Sequence, residues 1–167
     1  VFATDVSAKE LKETATPGGI ATTVVDLRDR AAGAAWIAQV ERETGHAVDV
    51  LVNNAGGVAG QENQPLENVS DADWNVVFDI NVNAALTLCR AAVPGMKRAG
   101  GGRIVNISSG AGLQPSLTGI QAYCSAKHAV VGLTRQLAHE LGRFNITVNS
   151  VAPGFVLTNR ATERQWA

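Results

Sequence analysis

At 167 residues, with 46% apolar and 17% charged side chains, the chain has enough apolar material for a core and is not a disordered or membrane-embedded composition. Fourteen basic against fifteen acidic residues leave a net charge of -1, without a basic block, which argues against nucleic acid or an anionic membrane surface as the main partner. No apolar run approaches the roughly 18 residues that cross a bilayer and nothing at the start reads as a signal peptide, so one cytoplasmic domain over residues 1–167 is expected.

The chain opens at Val1 rather than Met and runs straight into a strand pattern, as a piece of a longer protein would. Strands are expected over residues 1–4, 22–25, 48–52, 103–107 and 146–151, where short apolar runs rich in β-branched residues recur. Ser7 followed by Glu10 is a capping-box pattern that starts a first helix. A second runs from about Asp29 to Thr44 and stops at Gly45. A third begins after Ser70, with Asp73 at the capping-box position, and continues toward Met96. A fourth spans about Ala122 to Leu141 and ends at Gly142. Strands alternating with helices predict an α/β fold: a doubly wound, Rossmann-like parallel sheet covered by helices on both faces, three layers in all. Cys89 and Cys124 lie in different helices and read as small packed side chains rather than a disulfide, and the three histidines have no metal-ligand spacing.

Asp5, Asp26, Asn53-Asn54, Ser108-Ser109 and Pro153-Gly154 each follow a predicted strand. In an open parallel sheet these ends share one edge, where ligands bind. Any strand must end in a polar turn, which accounts for one or two of them but less comfortably for all five. Tyr123 and Lys127 stand four apart, one helical turn, at the end of the fourth helix nearest that edge. Tyr and Lys at this spacing are often only a solvated face, but here they flank the apolar stripe of Ala126, Val130, Leu133, Leu137 and Leu141. A phenol, with a reference pKa of about 10, is a poor base at neutral pH, and an ammonium one turn away favours the phenolate. Ser109 can orient a substrate oxygen, although alone it would be an ordinary serine turn. Asn81 falls on the apolar stripe of Trp74, Phe78, Ala85, Leu88 and Ala92, where a buried amide needs partners. The small residues of Asn53-Asn54-Ala55-Gly56 let backbone approach a flat ligand, or simply make a turn.

Asn-Asn-Ala-Gly, the asparagine on the next helix, Ile-Ser-Ser, Tyr-x-x-x-Lys and Val-Ala-Pro-Gly, in this order, resemble the short-chain dehydrogenase/reductase family along the whole chain. The resemblance implies hydride transfer between a nicotinamide cofactor and an alcohol or carbonyl substrate. Tyr123 resembles the family's acid/base, and Lys127 the residue that lowers the tyrosine pKa and binds the nicotinamide ribose. Ser109 resembles the serine that orients the substrate oxygen, and Asn81 the asparagine that anchors a water in the proton relay. Asn53, Ala55 and Gly56 would line the cofactor, with Asp26 and Leu27 facing adenine. Pro153, Gly154, Val156 and Thr158 match the segment that holds the carboxamide. Asp5 is similar to the carboxylate that accepts from the adenosine ribose and repels a 2′-phosphate, so NAD is expected over NADP. A homo-oligomer, dimer or tetramer, is implied by the same resemblance. The chain departs from the family in lacking the first strand with its glycine-rich turn, normally central between the strands ending at Asp5 and Asn53, and the last strand. That departure leaves a catalytically silent binding or assembly protein as an alternative. An epimerase or dehydratase of the extended relatives fits the motif spacing less well. The substrate is open, with Leu113-Gln114-Pro115-Ser116-Leu117 suggesting a partly apolar wall.

Overall fold

The computed structural model describes residues 1–15, 18–154 and 156. Five strands form: β1 (Phe2–Asp5), β2 (Ala21–Val24), β3 (Val50–Asn53), β4 (Gly102–Ile107) and β5 (Ile146–Val151). Every pairing between them is parallel. β3 starts two residues later than residue 48, because its ladder with β4 opens at Val50 opposite Arg103 and closes at Asn53 opposite Asn106.

The helix starts follow from their caps. In α1 (Ala8–Ala15), Ser7 Oγ accepts from the Glu10 amide at 3.3 Å. In α2 (Arg30–Thr44), the Asp29 carboxylate accepts from the amides of Ala31 and Ala32, and Gly45 closes the helix at φ 75°. Ser70 caps α3 (Asp71–Phe78) by accepting from the Asp73 amide. The helix then passes through a π-helical segment (Asp79–Asn83) into α4 (Ala84–Ala99), which Gly100 closes at φ 82°. This continuous helix, Asp71–Ala99, has 29 residues and a mean hydropathy of 1.4 in its most apolar stretch, long and apolar enough to cross a membrane. Its buried Leu88, Cys89, Ala92 and Met96 pack with Ile104, Ile146 and Leu141, so it is a core helix.

The last helix, α5 (Gln121–Leu141), ends where expected, with Gly142 as its C-cap. Gly142 stays right-handed at φ -55°, one further 3-10 turn follows, and Asn145 takes the left-handed conformation at φ 58°. Asparagine tolerates that region, and here its side-chain amide donates to the Gly100 carbonyl at 3.1 Å.

Among the described residues the expected sheet is divided into β1–β2 and β3–β4–β5. Clefts of about 600 and 230 Å³ separate the two parts. Val1 and Phe2 face Val48 and Val50 across the first, while Thr4 and Asp5 face Asn53 and Asn54 across the second. β1 and β3 therefore run in the same direction on either side of a slot, their carboxyl ends at one edge. The Rossmann-like α/β fold with parallel strands is as expected, and the described helices cover one face of β3–β4–β5. Leu51, Ile104, Asn106, Ile146 and Val148 are buried there, whereas Val50, Val52 and Val151 on the other face are 57%, 53% and 49% exposed. The cause is topological. Right-handed crossovers that step from β2 to β3, β4 and β5 in one direction put α2, α4 and α5 on the same side, and the reverse step from β1 to β2 puts α1 on the other.

Candidate active site

Strand ends and helix starts meet where β3, β4 and α5 converge. Lys127 lies one turn beyond Tyr123 on α5, and its Nζ is 5.4 Å from the centre of the Tyr123 ring. The Lys127 ammonium donates to the Ile107 carbonyl, at the end of β4, at 2.8 Å. The side chain is buried, and burial pushes its pKa down to about 8. Among the described residues no carboxylate pairs with it, and a lysine enclosed in that way is costly for stability and common where chemistry is done.

Asn81, in the π-helical segment, is 3% exposed. Its Nδ2 donates to the carbonyls of Gly57 and Val77, both at 2.8 Å, and its Oδ1 accepts from the Gly57 amide at 3.1 Å. The amide thus pairs with the Gly57 peptide as a neighbouring strand would, which resolves the polar residue in an apolar stripe. Gly56 must be glycine here: a Cβ would run into Asn81 Oδ1 and come within 3.2 Å of Lys127 Nζ. Ser109 begins a short turn at the end of β4, its hydroxyl oxygen accepting from the Ala111 amide at 3.2 Å. Among the described residues no hydrogen bond occupies the hydroxyl protons of Ser109 or Tyr123.

Beside these residues lies a cleft of about 690 Å³, lined among others by Asp5, Asp26, Leu27, Asn54, Ala55, Gly56 and Ile80. One Asp5 oxygen accepts from the Ser7 amide at 2.8 Å, and among the described residues the other has no hydrogen-bond partner. Asp26 is held by Arg28 at 2.6 Å, and this hydrogen bond keeps its carboxyl below the usual range. Asn53 sits differently from its neighbours. Its side chain turns into the sheet, where Nδ2 donates to Asn106 at 2.8 Å and to the Cys89 sulfur at 3.3 Å. Pro153 accepts from the Gly110 amide at 2.8 Å, which puts Pro153-Gly154 next to the Ser109 turn. Val156 is half-exposed, and Thr158 lies outside the described residues. Leu113 and Leu117 are exposed.

Sequence reasoning missed the supports beneath the site. Ser108 Oγ donates to the Lys127 carbonyl at 2.9 Å, and a Cβ on Gly112 would come within 2.7 Å of that same carbonyl oxygen. Asn106 donates to Thr134, which donates to the Val130 carbonyl. A signal existed, since Ile104, Asn106 and Ser108 share the period-two face of β4 that points into the core. Both cysteines are free, and burial pushes the Cys89 thiol up to about 11.

A family model described as short chain dehydrogenase matches residues 1–166. This chain belongs to the short-chain dehydrogenase family. It is 41% identical over 157 residues to the 3alpha-hydroxysteroid dehydrogenase of Mediterraneibacter gnavus, covering 93% of this chain and 60% of that protein. Among solved structures, a short-chain type dehydrogenase/reductase from Mycobacterium ulcerans superposes with a TM-score of 0.91 at 26% identity, over 100% of this chain and 62% of that one. NAD+-bound xylitol dehydrogenase gives a TM-score of 0.89 at 28% identity, over 98% of this chain and 64% of that one. ElxO with NADP bound superposes with a TM-score of 0.87 at 29% identity, over 99% of this chain and 66% of that one. The dehydrogenase chain spans about half the length of the curated relatives it matches, between 45% and 60% of the first two.

Proposed function

We propose that this short-chain dehydrogenase chain carries the catalytic centre of an NAD-dependent alcohol dehydrogenase or ketone reductase, with Tyr123 as acid/base. The observation that carries the reading is Lys127, a buried ammonium one turn from Tyr123; among the described residues no carboxylate pairs with the ammonium and no hydrogen bond engages the tyrosine hydroxyl proton. The cleft suits the adenosine half of a dinucleotide, because Asp5 offers a carboxylate oxygen to ribose hydroxyls and Asn54, Ala55 and Gly56 allow close backbone approach. Arg28 lines the same cleft but is paired with Asp26, so Asp5 is the charge a 2′-phosphate would meet. This favours NAD, although both cofactors occur among the solved neighbours.

When bound, the nicotinamide accepts or donates the hydride. In alcohol oxidation Tyr123 takes the proton from the substrate hydroxyl, and in reduction it returns one to the nascent alkoxide. Ser109 donates to the same oxygen and holds it for the tyrosine. Lys127 stabilises the phenolate and binds the nicotinamide ribose, while Asn81 fixes Gly57 and so the loop beyond Gly56. Pro153, Gly154, Val156 and Thr158 hold the carboxamide. The substrate is a small alcohol or carbonyl compound, and the working enzyme is a cytoplasmic homo-oligomer. A catalytically silent role gains no support from relatives named as dehydrogenases.

Tyr123→Phe tests this. Turnover in the active enzyme should fall at least about a hundredfold, the scale of positioned acid/base catalysis, with NAD affinity little changed. Steady-state rates within a few fold of wild type would remove Tyr123 from the mechanism.

A further inference from the structure

The helix that carries Tyr123 begins without a cap. Ile120 precedes its first residue, and no side chain there accepts from the free amides of the first turn. An uncapped first turn frays easily, and Tyr123 is the third residue of α5. Something else must hold it for a proton transfer that tolerates little displacement.

Ala122 packs against Val77 and the Cys124 thiol donates to the Ala111 carbonyl at 3.0 Å, and a further tether acts at the first residue of the helix. Gln121, the first residue of α5, donates its side-chain amide to the Gln64 carbonyl at 2.8 Å. Residues 57–64 form a strap anchored at both ends. At one end Gly57 is gripped by Asn81. At the other, the Asn63 amide donates to the Thr118 carbonyl at 2.8 Å, beside the turn that leads into α5. Along the strap Gln64 donates to Gln61 at 2.9 Å, and Gln61 donates to Asp73 of α3 at 3.0 Å. The approach of the two segments demands glycine at 119, where φ is 57° and a Cβ would come within 2.9 Å of the Gln64 backbone. The strap therefore joins the segment that holds Asn81 to the helix end that holds Tyr123.

We infer that Gln121 is a positioning residue, which fixes the first turn of α5, and with it the Tyr123 hydroxyl, by tethering it to the Gln64 carbonyl. The inference rests on the acid/base role proposed for Tyr123. Near-isosteric Gln121→Met removes the donor and keeps the length. In the active enzyme it should lower kcat roughly tenfold, as expected for losing one good hydrogen bond at a site that must be held still, and leave cofactor affinity unchanged. Hydrogen exchange supplies a readout independent of turnover. Amides of residues 63 and 124–127 should exchange faster in Gln121→Met, while those of residues 133–141 keep the wild-type rate. Unchanged exchange at residues 124–127 would overturn the tether, as would uniform acceleration along α5, which marks a general loss of stability. Local loosening in an enzyme whose turnover also survives Tyr123→Phe would overturn the role of Tyr123 instead and leave the tether standing.

Discussion

Lys127 is where burial and chemistry conflict most openly. Its pKa is pushed down to about 8 from an ordinary value of 10.5 because the folded chain removes the ammonium from water. The unfolded chain therefore holds this proton more tightly, so the cost of burying the charge is present in full below about pH 8 and fades as pH rises toward 10.5. Lys127→Met should raise thermal stability at pH 7 and flatten its rise between pH 8 and 10, as melting curves across that range would record. The same substitution should weaken NAD binding if the ammonium meets the ribose; unchanged affinity would make the lysine purely structural. Asp5 carries the second prediction at this scale. Asp5→Ala combined with Val6→Arg removes one repulsive charge and adds an attractive one, which should shift the ratio of NADP to NAD efficiency by about tenfold or more. A wild-type enzyme that already prefers NADP would contradict the reading of Asp5.

At the scale of elements, β3, β4 and α5 are joined by a buried polar chain rather than by apolar packing alone. Asn53 donates to Asn106, Asn106 to Thr134, and Thr134 back to the α5 backbone. Asn106 has no exposed surface. Asn106→Ala removes one hydrogen bond from each of two buried partners, Asn53 and Thr134, and should cost about 2–3 kcal/mol in denaturant unfolding. Asn106→Leu should cost as much, because both hydrogen bonds are lost whatever fills the volume. Asn53 Oδ1 already lacks a partner among the described residues, at the edge of the slot between β1 and β3. The continuous helix from Asp71 to Ala99 shows a related device. Its π-helical segment, Asp79–Asn83, holds Asn81 on the buried face beside Gly57.

For the molecule as a whole, the slot and the bare face of β3–β4–β5 dominate behaviour. Among the described residues the edges of β1 and β3 that face the slot are unpaired and offer backbone donors and acceptors, and Val50, Val52 and Val151 leave apolar surface beside them. A polypeptide limited to residues 1–167 is expected to self-associate at micromolar concentration, with Val52→Lys reducing the association in sedimentation velocity. That polypeptide is also expected to bind NAD weakly, since the two banks of the cofactor cleft belong to sheets with no ladder between them. Tight binding in a calorimetric titration would mean that the loops bridge the slot rigidly without a strand.

How much was legible in the sequence depended on how local the cause was. Asp29, Ser70 and Gly45 act within one helical turn, so their caps could be read residue by residue, and Tyr123 and Lys127 share a face through helix period alone. The family resemblance added roles to these positions because its motifs stand in order along the chain. The rest required contacts between residues far apart. Lys127 is buried because Gly56, Gly112 and Ile107 close around it from three other segments. Asn145 closes the 3-10 turn that follows Gly142 because Gly100 lies within reach of its amide. Among the described residues no helix covers one face of β3–β4–β5, because crossover handedness, and not the hydrophobicity of Val50 or Val52, decides where helices land. Period and capping are set by neighbours in sequence; burial, the division of the sheet and the Gln121 tether are set by neighbours in space.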